Sequence, residues 1–502
     1  MSLAKVFSAA VVGLEAYPVE VEVDISNGLP SFTIVGLPDK AIEESKERVR
    51  SAIKNSGANF PMKRITVNLA PADIKKEGPA YDLAIALGIL AADEQIPQID
   101  ENLLLTGELA LNGSLRHING VLPMASALAA NFKEIILPEI NRDEATLVKN
   151  LEIRPAKNLK ELIFYFKKEK NLPTYYKKFK IQAATESADD FCHIKGQEQA
   201  KRALEIAASG DHNVFFSGPP GAGKTLLART FPTILPTMNH QEILEVTKIY
   251  SVAGLLPHSE PLVSCRPFRA PHHTTSSVAL VGGGTYPRPG EITLSHRGVL
   301  FMDEFAEFPR SVLEALRQPL EDGIITVSRA QGSLQFPAKF ILIAAQNPCP
   351  CGYLGDPVKS CICTPYQIIR YQKRVSGPLL DRIDIHLEVP RVKYEKLADE
   401  TLAEASLKIR ERVEKARKVQ LKRLGKTNAE MTNKELKIYC RLNEITKKLL
   451  RNAVEQFHLS ARQFTRVLKV SRTIADLAES EKIASAHLAE ALQYRPKEQT
   501  MY

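Results

Sequence analysis

The chain has 502 residues, 44% hydrophobic and 25% charged, which is typical of a soluble globular protein with about two to four domains. Apolar runs are too short for a membrane span, and residues 1–5 lack the apolar core of a secretory signal, so we expect a cytoplasmic protein with no membrane partner. The seven cysteines, an odd number with four in one cluster, argue against a disulfide framework.

Charge is distributed unevenly along the chain, whose net charge is +9. Residues 1–165 contain 17 basic and 22 acidic residues, whereas residues 393–502 contain 24 and 15. A basic C-terminal region suggests a polyanionic partner. A solvated helical face gives the same composition, so charge alone leaves both interpretations open.

Residues 1–165 are predicted to form a mixed α/β domain. Residues 19–25 alternate between apolar and polar with period two, as a half-buried strand does, and residues 65–69 form a second such segment. Residues 41–54 predict a charged helix and residues 81–90 an apolar one.

The rest of the chain divides into three further regions. Residues 166–190 mix lysines, aromatic residues and prolines without a sustained period, which favours a tether, with a nucleic-acid-contacting segment as the alternative. Residues 191–392 alternate strand and helix patterns, which implies a parallel sheet. Residues 393–502 have helical periodicity, with helices predicted over 404–425 and 443–457.

A glycine-rich loop fits G-x-x-x-x-G-K-[ST] at every fixed position. Its residues are Gly218, Pro219, Pro220, Gly221, Ala222, Gly223, Lys224 and Thr225. An apolar strand precedes the loop and a helical pattern continues from Leu226, which is the context that a phosphate-binding loop needs. Backbone amides and the helix N-terminus would hold phosphate oxygens, Lys224 would reach the β- and γ-phosphates, and the Thr225 hydroxyl would bind Mg²⁺. Residues 218–226 therefore predict ATP and Mg²⁺ as cofactors.

Two apolar strands are predicted to end in polar side chains beside this loop. Residues 299–304 end in Asp303 and Glu304. Nucleotide hydrolysis needs a magnesium ligand, which suits Asp303, and a general base that places water in line with the γ-phosphate, which suits Glu304. Residues 340–347 end in Asn347, predicted to orient the water or sense the γ-phosphate, although strands often end in Asn for turn reasons.

Two arginines are predicted to complete the site. Arg382 lies between Asp381 and Asp384, and a ring ATPase needs a cation from the neighbouring subunit to stabilise transition-state charge. The alternative for Arg382 is a local salt bridge to one of those acids. Arg462 opens a predicted helix and is assigned to reach the γ-phosphate from the helical region. Its competitors are Arg466 and Arg472.

The clustered cysteines are Cys349, Cys351, Cys361 and Cys363. Four thiolates can enclose one Zn²⁺ tetrahedrally, and a loop of this kind gains order from the metal. The C-x-C spacing is tighter than the common C-x₂-C, so free buried or redox thiols stay the alternative. Four thiolates leave no open position, and the predicted zinc is therefore structural rather than catalytic.

Several motifs in this order resemble one protein family. They are Gly196-Gln197, the loop 218–225, Arg266-Pro267-Phe268-Arg269-Ala270-Pro271-His272-His273, the acidic pair 303–304, the segment 347–352 and Leu380-Asp381-Arg382. Together they resemble the magnesium-chelatase-like branch of AAA+ ATPases. With the N-terminal region included, nearly the whole chain is similar to the bacterial ComM (YifB) family.

This resemblance implies a fold, an assembly and an activity. The expected α/β architecture has an N-terminal α+β domain, a central AAA+ parallel-sheet ATPase core and a C-terminal helical lid. The expected assembly is a homo-hexameric ring with ATP sites between subunits. The expected activity is that of an ATP-dependent helicase that promotes branch migration of transforming single-stranded DNA, with branched DNA and recombination proteins as partners.

The resemblance also supplies expected DNA contacts. In this branch of AAA+ ATPases two insertions project into the central pore, and here they correspond roughly to residues 258–290 and 324–338. Arg329 lies at a predicted hairpin tip in the second, while Arg266 and Arg269 lie in the first. Phosphate contacts of this kind bind without sequence preference, as translocation requires.

The N-terminal region resembles a second group, the protease domain of Lon with its S5-domain-2-like fold. Lon uses a Ser–Lys dyad. At the corresponding positions this chain has Ala80 and Leu122, so residues 1–165 are predicted to lack the dyad and to serve as a scaffold or DNA-facing domain. The alternative function for the whole chain is a magnesium-chelatase-type ATPase that remodels a partner protein.

Overall fold

In the computed structural model of the chain, the described residues are 2–177, 189–257, 260–284, 288–329, 332–392, 394–398 and 401–495. The strands are β1 Ser2–Val12, β2 Glu15–Ser26, β3 Ser31–Val35, β4 Arg64–Ala70, β5 Leu103–Leu105, β6 Glu108–Leu109, β7 Leu115–Arg116, β8 Glu134–Pro138, β9 Glu152–Ala156, β10 Val214–Ser217, β11 Phe268–Arg269, β12 Gly282–Gly283, β13 Arg288–Pro289, β14 Val299–Met302, β15 Ile324–Arg329, β16 Gly332–Pro337, β17 Ile341–Gln346 and β18 Ile385–Glu388.

The helices are α1 Lys40–Asn55, α2 Asp82–Ala92, α3 Val121–Leu128, α4 Arg142–Ala145, α5 Leu159–Phe166, α6 Glu198–Gly210, α7 Lys224–Thr230, α8 His240–Ala253, α9 Ser277–Val281, α10 Glu291–Leu294, α11 Arg310–Ala315, α12 Arg317–Asp322, α13 Pro365–Gln372, α14 Gly377–Leu380, α15 Tyr394–Leu397, α16 Ser406–Leu424, α17 Asn433–Tyr439, α18 Glu444–Gln456, α19 Ala461–Leu477 and α20 Ser485–Gln493. None of these helices, which come from the described residues, combines the length and apolar character needed to cross a bilayer.

The chain forms two compact units. The first consists of Met1–Ile181 with His240–Val263, and the second of Gln182–Asn239 with Ser264–Tyr502. Residues 240–263, which sequence analysis assigned to the ATPase core, therefore belong to the first unit. The sequence predicted four successive regions, 1–165, 166–190, 191–392 and 393–502. Their identity as separate domains stays a prediction.

The first unit is built on a mixed seven-stranded sheet in the order β3-β4-β2-β1-β5-β8-β9. β1 and β2 form a long antiparallel hairpin, and β2 buries Val19, Val21, Val23 and Ile25 on one face, which confirms the predicted alternation. Every residue of α2 is buried, because that helix packs on β1 and β2 inside the apolar core. The four elements predicted in this region are all present.

The inserted helix α8 is held in the first unit by a buried carboxylate. Glu144 accepts hydrogen bonds from the backbone N–H of Leu122, at 2.8 Å, and from the Ser251 hydroxyl of α8. The Gly120 N–H donates to the Ser251 carbonyl at 3.3 Å. Burial raises the pKa of Glu144, and these hydrogen bonds oppose the rise. A single side chain thus joins the start of α3 to the end of α8.

The second unit contains the predicted parallel sheet. Its five strands run parallel in the order β11-β14-β17-β10-β18. Their carboxyl ends therefore lie at one edge, where the residues that follow β10, β14 and β17 meet. One apolar cluster extends from the sheet residues Phe216 and Ile343 to Val413 of α16 and Ile474 of α19, so the helical region packs on the core that positions the site.

The C-terminal helices begin and end at residues that satisfy their free backbone groups. Ser460 caps α19 with a capping box to Gln463, and α16 ends before Gly425, which has a φ of 68°. Helices were predicted over 404–425 and 443–457, and the structure has Ser406–Leu424 and Glu444–Gln456. Both predictions are confirmed.

Candidate nucleotide-binding site

The phosphate loop connects β10 to α7 and leaves room for a ligand. Gly221 and Gly223 have φ values of 76° and 90°, which other L-residues seldom adopt. Among the described residues other than their chain neighbours, no atom lies within 4 Å of the position that a Cβ would take on either. α7 begins at Lys224. The backbone amides and the helix N-terminus are thus arranged as an anion-binding cradle requires.

Lys224 folds back over its own loop. Its Nζ donates to the Gly218 carbonyl at 2.6 Å, to the Pro219 carbonyl at 3.0 Å and to Asn347 Oδ1 at 3.2 Å. Burial lowers the pKa of this ammonium, with nearby Asp303 opposing the change. The structure therefore brings Asn347 to Lys224, and the residues fit an anion that would exchange these carbonyl contacts for phosphate oxygens.

Thr225 and Asp303 meet across the sheet edge. The Thr225 hydroxyl donates to Asp303 Oδ2 at 2.8 Å, and the Glu304 N–H donates to Asp303 Oδ1 at 2.9 Å. A hydroxyl beside a carboxylate supplies the hard oxygen ligands that Mg²⁺ prefers. The donor set therefore fits the predicted magnesium site.

Glu304 has a contact that sequence analysis missed. His273 Nδ1 lies 3.0 Å from Glu304 Oε2, and Glu304 itself has a φ of 52°. The His273 ring lies 4.0 Å from the His272 ring and packs edge-on against Phe308. The sequence feature that could have revealed this contact is the position of His273, four residues after the end of β11, because β11 pairs with β14 in the sheet.

Arg382 and Arg462 converge on one acid, Glu321 at the end of α12. Arg382 Nη2 donates to the Glu321 carboxylate, and Arg462 Nη2 lies 3.7 Å from Glu321 Oε1. The hydrogen bond from Arg382 lowers the pKa of Glu321. The acids next to Arg382 in sequence have other partners: Asp381 accepts from Gln463 at 3.1 Å and Asp384 pairs with Arg466.

The two competing arginines are engaged in the fold. Arg466 also donates to the Asp381 carbonyl at 2.7 Å. Arg472, which is nearly fully buried, donates to Asp476 at 3.1 Å and to the carbonyls of Ser480 and Glu481. Of the four guanidinium groups, those of Arg382 and Arg462 share the Glu321 carboxylate. Their predicted roles stay predictions.

The four clustered cysteines form a compact thiol site. Their Sγ atoms all lie within 4.8 Å of one another, and three of the pairs are 3.4 to 3.6 Å apart. A zinc–thiolate tetrahedron with ~2.3 Å bonds has sulfur–sulfur edges of about 3.8 Å, so the geometry fits one Zn²⁺. Burial opposes ionisation of Cys351, but backbone N–H groups of Tyr353 and Ile362 outweigh it and lower its pKa to about 6.

This cysteine loop lies against the phosphate loop. A Cβ added to Gly352 would come within 2.7 Å of Pro220 Cδ, and Asn347, which holds Lys224, precedes Cys349 by two residues. The conformation of the cysteine loop therefore affects the position of Pro220 in the phosphate loop and of Asn347 beside Lys224.

The arginines predicted to contact DNA have intramolecular partners where their side chains are described. Arg266 donates to the carbonyls of Pro236 and Arg297 at 2.6 and 2.7 Å, and Arg269 forms a two-point ion pair with Glu291. β15 and β16 form the predicted hairpin, with Arg329 opposite Gly332. The Arg329 side chain and residues 330–331 lie outside the described residues.

Comparisons with known proteins cover nearly the whole chain. The family model "Magnesium chelatase, subunit ChlI" matches residues 190–397, "Subunit ChlI of Mg-chelatase" matches 21–141 and "Magnesium chelatase, subunit ChlI C-terminal" matches 403–495. Competence protein ComM of Haemophilus influenzae is 46% identical, covering 99% of this chain and 98% of its own. The uncharacterized protein YifB of Escherichia coli is 42% identical over 99% and 97%.

A more distant similarity concerns the N-terminal region. Lon protease 2 of Bacillus subtilis is 31% identical over 185 residues, which are 34% of this chain and 33% of the protease. The predicted dyad positions hold Ala80 and Leu122, both buried, and neither side chain offers a nucleophile or a base. Because the ComM relative is similar over its full length and the family models match along the chain, this protein belongs to the ComM family of magnesium-chelatase-like AAA+ proteins.

Proposed function

We propose that this chain is an ATP-driven DNA helicase, assembled as a homo-hexamer, that promotes branch migration when transforming single-stranded DNA is integrated by homologous recombination. The observation that carries the proposal is the meeting of Lys224, Thr225, Asp303 and Glu304 at one sheet edge in a relative of a competence protein. The meeting of these side chains supports hydrolysis of ATP. The similarity to a competence protein supports DNA as the substrate on which the energy of hydrolysis is used.

The chain's own groups divide the work of hydrolysis. Lys224 holds the β- and γ-phosphates, and Thr225 with Asp303 holds Mg²⁺, which neutralises phosphate charge when bound. Glu304 accepts a proton from the attacking water as general base. Asn347 orients that water or senses the γ-phosphate, and its contact with Lys224 supports a position near the phosphates.

The ring proposal depends on Arg382. A guanidinium that completes a neighbour's site must be held in a fixed direction, and the contact between Arg382 and Glu321 supports this. Arg462, proposed to reach the γ-phosphate from the helical region, lies beside the same acid. Mixing an Arg382→Ala subunit with a Glu304→Gln subunit tests whether sites are shared. Shared sites predict that the mixture regains part of the ATPase activity that each variant lacks alone, since one class of interface then carries both intact groups.

The test of the whole proposal is ATP hydrolysis with and without DNA, together with displacement of a labelled strand from a forked substrate. We expect both single-stranded and forked DNA to raise the ATPase rate and the fork to be unwound. Lys224→Ala should lose both activities. An ATPase rate indifferent to DNA, with no strand displacement, would contradict the helicase proposal.

A chelatase-type ATPase that remodels a partner protein is the second proposal, favoured by the three magnesium chelatase family matches. It predicts stimulation by a protein partner rather than by DNA. Structural Zn²⁺ in the cysteine loop is common to both proposals, supported by the spacing of the four Sγ atoms.

A further inference from the structure

A groove of about 1420 Å³ opens in the helical region of the second unit. Its walls come from α16, from the end of α17 with the segment that joins it to α18, and from the end of α19 with the loop that follows it. The nucleotide site does not share these residues. The groove lies in the part of the chain with the largest excess of basic residues.

The basic residues of α16 divide into two sets by type. Its four arginines bind groups within the fold: carbonyl oxygens or carboxylates of Thr233, Glu205, Glu404, Asp211 and Asp476. Its four lysines, Lys408, Lys415, Lys418 and Lys422, are exposed. The arginines therefore serve the packing of the helix, and the lysines carry the charge that faces solvent.

Four exposed cations line the groove, namely Lys415, Lys418, Arg441 and Lys482. Within the described ranges of the chain, none of them has an ion-pair partner. Asp476, which also lines the groove, is buried and bound by Arg423 and Arg472, so it does not neutralise them. Two exposed acids, Glu479 and Glu481, flank the Lys482 end.

Apolar surface lies between these cations. Val419 and Ile438 are 48% and 53% exposed, and the half-buried Tyr439 ring lies beside the Arg423 guanidinium, 5.8 Å away. Cations next to exposed apolar groups match a strand with charged phosphates and unpaired bases. A duplex keeps its bases stacked inside and would leave that apolar surface uncovered.

We propose that this groove binds single-stranded DNA, with phosphates on Lys415, Lys418, Arg441 and Lys482 and bases against Val419 and Ile438. This inference rests on the proposed function, which supplies the strand. The contacts are to phosphates and base faces, so binding is independent of sequence and weakens as salt rises.

The experiment measures the affinity of the full-length chain for oligo(dT) between about 50 and 200 mM salt. Lys415→Glu/Lys418→Glu should weaken binding at least ~10-fold and flatten the logarithmic salt slope by about 1.4, since each phosphate contact contributes ~0.7 for single strands. The matched control is Lys448→Glu/Arg451→Glu on α18, two exposed cations with the same spacing and outside the groove. It should bind almost as wild type does.

A second variant keeps the test independent of folding defects. Glu479→Gln/Glu481→Gln removes the two exposed acids and should tighten oligo(dT) binding about 3-fold because repulsion of phosphates is lost. If the wild type binds oligo(dT) and neither Lys415→Glu/Lys418→Glu nor Glu479→Gln/Glu481→Gln changes its affinity, this inference is wrong. The helicase proposal is then unaffected. Wild-type protein that does not bind oligo(dT) overturns both. Binding of poly-glutamate in preference to oligo(dT) would assign the groove to an acidic peptide and overturn the inference.

Discussion

The two compact units hold their polar side chains in different surroundings. In the second unit, the residues that follow β14 and β17 are Asp303 and Asn347, and they contact Thr225 and Lys224 of the phosphate loop. In the first unit, Ala80 and Leu122 occupy the positions predicted to correspond to a protease dyad, and the buried Glu144 binds backbone and hydroxyl groups. Charged groups at a sheet edge can support chemistry, whereas a buried carboxylate that binds its own chain supports structure.

Glu304→Gln is expected to have the largest effect on activity and tests the role assigned to the carboxyl edge of the second sheet. The substitution keeps the shape and removes the base, so we expect kcat for ATP hydrolysis to fall ~10²- to 10⁴-fold while ATP binding is kept. Steady-state ATPase and equilibrium binding of a fluorescent ATP analogue are the measurements. Normal turnover by this variant would show that the carboxyl edge of the second sheet works without Glu304 as base.

Disrupting the cysteine loop tests how far the nucleotide site depends on its neighbour. Cys361→Ser removes one of the four sulfurs, and we expect loss of bound zinc, a thermal unfolding midpoint several degrees lower and reduced ATPase activity. Elemental analysis and calorimetry measure the first two effects. Cys192→Ser changes a thiol outside the cluster and is the control. A zinc content near zero in wild-type protein purified with zinc present would contradict the structural metal.

His273→Ala tests the contact that only the structure revealed. Loss of the imidazole beside Glu304 should lower kcat roughly 3- to 10-fold with little change in KM, because the base is less well oriented but still present. His273→Gln, which can still donate a hydrogen bond, should recover part of the rate. His272→Ala is the matched control, since the contact with Glu304 is made by His273. Equal losses from both substitutions would point to a general loop effect.

The smallest effect on activity is expected in the first unit, at Glu144. Burial raises the pKa of this carboxyl, so the folded state binds its proton more tightly than the unfolded state does. Its protonation stabilises the fold at low pH, and that contribution is lost as pH rises through the folded-state pKa. Glu144→Gln resembles the protonated group and should cost less than Glu144→Ala, for which we expect ~1–2 kcal/mol.

Thermal unfolding across the pH range, with ATPase activity beside it, measures this effect. Both Glu144 variants should hydrolyse ATP at nearly the wild-type rate below their unfolding midpoints. A loss of activity as large as that of Glu304→Gln would mean that the first unit takes part in the chemistry, and the distinction between the two units would fail.

The sequence by itself determined the parts of this protein whose constraints are local. The phosphate loop requires glycines at positive φ before a helix, β2 and β4 show their burial in alternation, and the C-x-C pairs bring two thiols together within three residues. The tertiary structure alone decided the pairing of distant side chains. Glu321 binds both Arg382 and Arg462, His273 contacts Glu304, and α8 belongs to the first unit. No local period records such pairs, because they depend on how the chain crosses itself and on which buried polar groups compete for each partner.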